Sequence, residues 1–317
     1  EYTKFLALCS HEYFHAWWIK TIKPSNFHEF DYNQENYTEQ LWIFEGFTSY
    51  YDELSLLRTK ILTAEQYLIL FSQNVTKIQR CNGRYKQSIA ESSFDAWTKF
   101  YKQDENAANS IVSYYSKGAL LAFVLDIEIR KATNDTKTLD DIVRYIWDNF
   151  RENGLENSSV KLVLEKLTNK DFSKFFSSYV YGVNDLPLDS AFKYVGIECS
   201  FQHKKDDLSS FGISIKESKE LPLVSHVFDN SSAQMAGLYV GDTVVSVDKL
   251  KVTYKDLASN IDSRNLGDTI TLGILRDDIL IEIDIEIIRT NKTFCTLSLA
   301  EKQCAKTIDR QIQWFYH

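Results

Sequence analysis

Residues 9–20, CSHEYFHAWWIK, place a carboxylate between two histidines in a stretch that is otherwise rich in aromatic residues. The apolar spacing predicts a helix. On a helix His11 and His15 lie on one face, one turn apart, so both imidazoles can reach one cation. Glu12 lies about 100° further round, where it can accept a proton from a water molecule without being a ligand. An amphipathic helix with two ordinary histidines is the alternative.

A third ligand is available in the stretch LWIFEGFTSYYDEL, residues 41–54. Glu45 is a lone carboxylate among aromatic and aliphatic residues of a second predicted helix. A buried carboxylate needs a partner because an unpaired buried charge is very costly, and a metal ion would supply one. Considered by itself, Glu45 could equally be an ordinary exposed helix residue.

Length and composition restrict the class of protein. The chain has 317 residues, 14% aromatic residues, 25% charged residues and a net charge of -8. These values predict a folded, acidic protein with two domains, and the negative net charge argues against nucleic acid as a partner. The longest apolar runs, such as GALLAFVL at 118–125, are too short to span a membrane.

The cysteines and the first residues bear on the compartment. The five cysteines are widely spaced and include no C-x-x-C pair, which argues against a disulfide framework and against a cysteine zinc site. A cytoplasmic location is therefore the default. The chain starts at Glu1 inside a predicted helix, so we expect that an upstream part is missing. A periplasmic or secreted location is therefore the alternative.

Hydrophobic periodicity divides the chain into an α+β multidomain arrangement. Residues 1–192 have helical spacing and capping signals, such as Thr63 with Gln66 and Thr138 with Asp141. Residues 193–290 contain short β-branched runs separated by turn residues, which predicts a small β-rich domain. Residues 291–317 are predicted to be a C-terminal tail that contains a helix.

Two motifs resemble a known peptidase family. HEYFHAWWIKTIKP followed by ENYTEQLWIFEGFTSYY resembles the M61 (glycyl aminopeptidase) family of gluzincins, and LWIFEGFTSYY is also similar to the W-x-x-E-G-F pattern of M1 aminopeptidases. The resemblance implies a mainly α-helical, thermolysin-like catalytic lobe. It also implies one Zn²⁺ per chain on His11, His15 and Glu45. Glu12 is then the general base and, later, the proton donor to the leaving amine.

A third motif concerns the oxygen of the scissile carbonyl. SYYSKGALLAFVLD, residues 113–126, is similar to the Y-x-K-G element whose tyrosine stabilises the oxyanion in this clan. The resemblance implies that role for Tyr115, with Tyr114 as the second choice. Without the motif, both tyrosines would be interpreted as core residues of a buried helix.

The β-rich part resembles a PDZ domain. The similarity is found in two stretches, FGISI at 211–215 and VSHVFDNSSAQMAGLYVGDTVVSVDKLKV at 224–252. PDZ domains bind an extended peptide or a protein C-terminus by strand addition, and Phe211, Gly212 and Ile213 would line the carboxylate-binding loop. A domain that only packs against the catalytic lobe is the alternative.

The function implied by these resemblances is that of a zinc metallopeptidase, specifically an aminopeptidase that releases small N-terminal residues, Gly or Ala, from peptides. The upstream strand and the Gly-Gly-x-Glu-His type motif of relatives would precede Glu1, so we expect this chain by itself to be a poor peptidase. The alternative is a catalytically impaired fragment that acts as a PDZ-based peptide-binding scaffold.

Overall fold

The structure, a computed structural model, describes residues 2–29, 31–203, 208, 211–216, 221–288 and 292–317. A helical part is followed by a part built on a sheet, which is the predicted α+β arrangement. The α-helices are α1 (Tyr2–Phe14), α2 (Leu41–Arg58), α3 (Ala64–Arg80), α4 (Ile89–Phe94), α5 (Ala107–Ser110), α6 (Ser116–Ala132), α7 (Leu139–Phe150), α8 (Ser159–Thr168), α9 (Ser173–Phe175), α10 (Leu188–Tyr194), α11 (Ser232–Met235), α12 (Tyr254–Asp262) and α13 (Ala305–Tyr316). The strands are β1 (Ile197–Gln202), β2 (Ile213–Lys216), β3 (Leu223–Val227), β4 (Thr243–Val247), β5 (Leu250–Lys251), β6 (Thr269–Arg276), β7 (Ile279–Glu286) and β8 (Phe294–Leu299).

Local capping signals fix the starts of two helices. The Thr63 side chain accepts a hydrogen bond from the Gln66 backbone N–H at the start of α3, and the Gln66 side chain returns one to the Thr63 N–H. Thr138 and Asp141 form the same reciprocal pair at the start of α7. Both predicted capping boxes are thereby confirmed, because each satisfies two backbone donors that the helix itself cannot satisfy.

Helix α6 lies at the centre of the helical part. Every residue of the run 118–125 is buried, which explains why this run is apolar throughout. Helix α2 packs along α6 and buries Phe44, Phe47 and Leu54 against it and its neighbours. Among the helices that the structure describes, none combines the length and the apolar character needed to cross a bilayer.

Two glycines allow α2 and α6 to touch. A Cβ atom added to Gly46 would lie 2.6 Å from the Gly118 Cα, and one added to Gly118 would lie 2.7 Å from the Gly46 Cα. The two backbones are therefore in direct contact, with no space for a side chain. Gly46 follows Glu45 and Gly118 lies three residues after Tyr115, so this crossing sets the distance between those two side chains.

We expect the Gly46→Ala substitution to destabilise the protein by about 1–3 kcal/mol, because a methyl group at the crossing forces two packed helices apart. Urea unfolding followed by circular dichroism measures this change. Ser49→Ala on the same helix is the matched control and should stay within about 0.5 kcal/mol of the parent. Equal stability of the Gly46→Ala variant and the parent would contradict the close crossing.

The sheet of the second part is antiparallel in all its strand pairs, with the order β2-β3-β4-β6-β7 and β5 paired to β4. In strand β6 every second residue from Ile270 to Ile274 faces the core, and Ile270, Leu272 and Ile274 are fully buried. Helix α12 covers this face with Leu257 and Ile261. Strand β2 lies at one edge of the sheet.

The chain returns to the helical part after the sheet. Strand β8 pairs with β1, and both contribute side chains to the helical core. Helix α13 follows, and its Trp314 indole donates a 2.9 Å hydrogen bond to the buried Tyr50 hydroxyl. Residues 294–316, which lie within the predicted tail, thus add a strand and a helix to the first part of the chain.

Candidate metal centre

The two histidines of the opening motif lie at the end of α1. His15 is one residue beyond the helix, yet its backbone N–H still bonds the His11 carbonyl at 3.2 Å. The turn is therefore continuous and the rings are adjacent, with centroids 4.7 Å apart. This is the side-by-side arrangement that the four-residue spacing predicts.

Helix α2 brings Glu45 to the same place. Glu45 Oε2 lies 3.3 Å from the Nε2 atom of His11 and 3.3 Å from the Nε2 atom of His15. One ligand atom from each of the three residues falls within 4.8 Å of the others, which is compatible with a single metal ion. Two imidazoles and one carboxylate are a typical ligand set for catalytic zinc, with a fourth position left for water or substrate.

Each imidazole is oriented by a partner on its other nitrogen. His11 Nδ1 lies 3.1 Å from Asp52 Oδ2, and His15 Nδ1 lies 3.1 Å from the Trp18 carbonyl oxygen. Such partners fix the ring and direct Nε2 towards the centre of the cluster. Asp52 was not predicted from the sequence. Its spacing offered a signal, because Asp52 is two helical turns after Glu45 and therefore on the same face of α2.

The electrostatics also suit a cation. Burial alone lowers the pKa of His11, but the Asp52 hydrogen bond and the Glu45 carboxylate outweigh it and raise the pKa to about 9. Burial alone raises the pKa of Glu45, and the two imidazoles reverse this effect and lower it to about 2. Glu45 Oε2 is buried and accepts no hydrogen bond within the described residues. The three residues therefore fit a bound divalent cation, which would satisfy this orphaned oxygen.

Glu12 is on α1 next to this cluster without belonging to it. Its side chain is exposed, and within the described part of the chain it has neither a hydrogen bond nor an ion pair. The carboxylate is thus accessible to solvent.

Tyr115 and Tyr114 have different surroundings. The Tyr115 ring stacks on His11 with centroids 6.3 Å apart, and its hydroxyl is 3.2 Å from that of Tyr101. Tyr114 is buried in the helical core and its hydroxyl donates to Tyr101. Burial and the Glu45 charge raise the pKa of Tyr115, so its phenol stays protonated and can donate. Tyr101, which the sequence analysis missed, links the two tyrosines.

The comparisons with known proteins agree with this arrangement. Residues 4–121 match the M61 glycyl aminopeptidase family, and residues 209–287 match the PDZ domain family. The first stretch is therefore similar to M61 domains and the second to PDZ domains. The M61 match includes both histidines of the cluster, Glu45 and Tyr115.

One solved structure is similar to the whole chain and not only to the two matched stretches. The crystal structure of an aminopeptidase N family protein from Idiomarina loihiensis is 35% identical with a TM-score of 0.93, covering 100% of this chain. The present chain spans 55% of the length of that protein. An HtrA-type protease with a decapeptide matches only 26% of this chain, at 17% identity and a TM-score of 0.25. No curated protein sequence matches the chain significantly.

The PDZ residues named from the sequence lie at the start of β2. Phe211, Gly212 and Ile213 are all buried. Gly212 has φ +103, and a Cβ atom there would meet the Ser231 side chain at 2.0 Å, so glycine is required. The backbone N–H groups of Phe211 and Gly212 both bond the Leu208 carbonyl. These two amides are therefore already engaged in the structure rather than free to bind a carboxylate.

Proposed function

We propose that the protein is a zinc-dependent aminopeptidase whose metal site is formed by His11, His15 and Glu45. The convergence of these three side chains around a buried, unsatisfied carboxylate oxygen is the observation that supports it. The family supports peptide bonds as the substrate class. The preference for Gly or Ala at the N-terminus is proposed from the family resemblance.

A zinc ion held there would polarise the scissile carbonyl and make a water molecule more acidic. Glu12 takes the proton from the attacking water and later delivers it to the leaving amine, a role that its free and exposed carboxylate supports. The Tyr115 phenol donates a hydrogen bond to the carbonyl oxygen as that oxygen gains negative charge. Asp52 holds the His11 ring in place.

Metal removal tests this proposal in the natural full-length protein that carries these residues. Dialysis against a chelator should lower the hydrolysis of glycyl and alanyl reporter peptides by at least about a hundredfold, and one equivalent of zinc should restore it. Full activity after complete removal of metal would contradict the proposal, and so would the absence of hydrolysis in the zinc-loaded protein.

We propose for the PDZ domain the binding of an extended peptide along β2. The support is that β2 is an edge strand, so within the described residues its outer edge has no strand partner. Because the Phe211 and Gly212 amides bond Leu208, capture of a C-terminal carboxylate requires this loop to open. In NMR titrations with peptides that have free C-termini, we expect shifts in 213–216. Shifts confined to other strands would contradict this assignment.

A further inference from the structure

An apolar cavity of about 560 Å³ lies between the loop that follows α1, the start of α2 and the segment 96–101. Its wall includes Ile19, Leu41, Ala96, Trp97 and Tyr101. Trp97 and Tyr101 are large hydrophobic residues that are 44% and 63% exposed. Exposed aromatic residues that line a concave surface are typical of a ligand site rather than of a core.

Three wall residues are close to the proposed catalytic groups, two of them in sequence and one in space. Ile19 follows His15 by one short turn, and Leu41 precedes Glu45 by four residues on α2, which places the two on one helix face. The Tyr101 hydroxyl is 3.2 Å from the Tyr115 hydroxyl. Tyr101 therefore joins the cavity to the proposed oxyanion donor, and Leu41 joins it to the helix that carries Glu45.

The wall is held in place without a ligand. Ile19 has φ +86, a strained conformation for a β-branched residue, and its N–H bonds the Ile22 carbonyl at 2.7 Å. The Trp97 indole donates to the Asn36 carbonyl at 3.0 Å, which ties the loop on one side of the cavity to the turn on the other. The cavity is therefore preformed, which lowers the entropy lost when a ligand binds.

The lining also defines the chemistry of the occupant. Lys23 is the one charged residue in the lining, and no carboxylate within the described residues forms an ion pair with it. A basic side chain would be repelled there, while an apolar side chain would be removed from water against Leu41 and Trp97. The volume is far larger than the methyl group of alanine requires.

We propose that this cavity binds a large apolar side chain, aliphatic or aromatic, of a substrate residue next to the scissile bond. This proposal rests on the proposed peptidase function, because that function places the scissile bond at the metal. If the N-terminal residue is Gly or Ala, the occupant is the residue that follows it.

Direct binding tests the cavity separately from hydrolysis. Calorimetric titrations would use the zinc-loaded full-length protein with Glu12→Gln, which is expected to keep peptides intact. The probes are tripeptide amides with Ala, Leu, Phe or Lys at the first or the second position and Ala elsewhere. We expect Leu or Phe at one of the two positions to strengthen binding at least about tenfold over Ala, and Lys at that position to weaken it.

Two cavity variants and one control complete the experiment. Leu41→Ala and Trp97→Ala should each reduce the preference for Leu and Phe over Ala by about tenfold, with little effect on the all-Ala peptide. Leu162→Ala, at an exposed leucine on α8, should change nothing. An unchanged preference in both cavity variants, or an equal loss for all peptides, would overturn the proposal.

The outcomes separate this proposal from the peptidase function. If the parent protein hydrolyses peptides but binds those with Ala or Lys as well as those with Leu or Phe, the cavity proposal is wrong and the peptidase proposal stands. If the preference for Leu or Phe depends on Leu41 and Trp97 but the parent protein hydrolyses no peptide, the cavity proposal stands and the peptidase proposal is wrong. A preference for Leu or Phe at the first position would support the cavity proposal. It would also show that the favoured N-terminal residue is a large apolar one and not Gly or Ala.

Discussion

Replacing Glu12 by Gln is expected to lower kcat/KM for peptide hydrolysis by about 10²–10⁴-fold and to leave the zinc content unchanged. The amide keeps the shape of the side chain but cannot take a proton from water. Metal binding should survive because Glu12 is exposed and outside the cluster of His11, His15 and Glu45. Steady-state kinetics and metal analysis of the same preparation measure both quantities.

The control for this experiment is Glu152→Gln, which changes an exposed carboxylate that has no hydrogen bond or ion pair within the described residues. Its kcat/KM should equal that of the parent. Near-parental activity in Glu12→Gln would remove Glu12 from the mechanism. Loss of zinc in Glu12→Gln would show that the carboxylate supports the metal rather than proton transfer.

The double substitution His11→Ala and His15→Ala should remove both the metal and the activity. The variant loses the two ligands that face Glu45 Oε2, and a single carboxylate does not hold zinc tightly. We expect the zinc content to fall from about one to less than about 0.1 per chain, as measured by mass spectrometry of the metal. Peptide hydrolysis should fall to background.

The matched control is His317→Ala, which alters an exposed histidine at the C-terminus. It should retain one zinc per chain. Stoichiometric zinc in the His11→Ala, His15→Ala variant, with its circular dichroism spectrum unchanged, would refute the ligand assignment.

The parts of the site that depend on local spacing could be predicted from the sequence. His11 and His15 are one turn apart in any helix, so their adjacency needs no knowledge of the fold. Glu45 required either the family resemblance or the tertiary structure, because it arrives from another helix. The structure brings the predicted His11, His15, Glu45 and Tyr115 together, and their chemical roles stay predictions.

Asp52 and Tyr101 were missed because their contacts depend on how elements cross. Nothing in the sequence near Asp52 shows that α2 passes His11 at the distance that permits a hydrogen bond. Tyr101 directly follows a π-helical turn at Ala96–Phe100 and reaches Tyr115 only through tertiary packing. The tight α2–α6 crossing at Gly46 and Gly118 is also a non-local feature, although both glycines are in the quoted motifs.

The fold shows the same division between local and distant information. The capping boxes of α3 and α7 are local, and the sequence predicted them correctly. The pairing of β1 with β8 joins segments that are separated by the whole PDZ domain. A pattern within either segment cannot specify such a partner, since any amphipathic strand would match it equally well.

Diffraction at the zinc absorption edge, on crystals grown with one equivalent of zinc, would show directly whether His11, His15 and Glu45 hold the metal. We expect one anomalous peak per chain, about 2.0–2.2 Å from the Nε2 atoms of His11 and His15 and from a carboxylate oxygen of Glu45. A peak at other side chains, or crystals in which these three residues are ordered and no zinc lies between them, would contradict it.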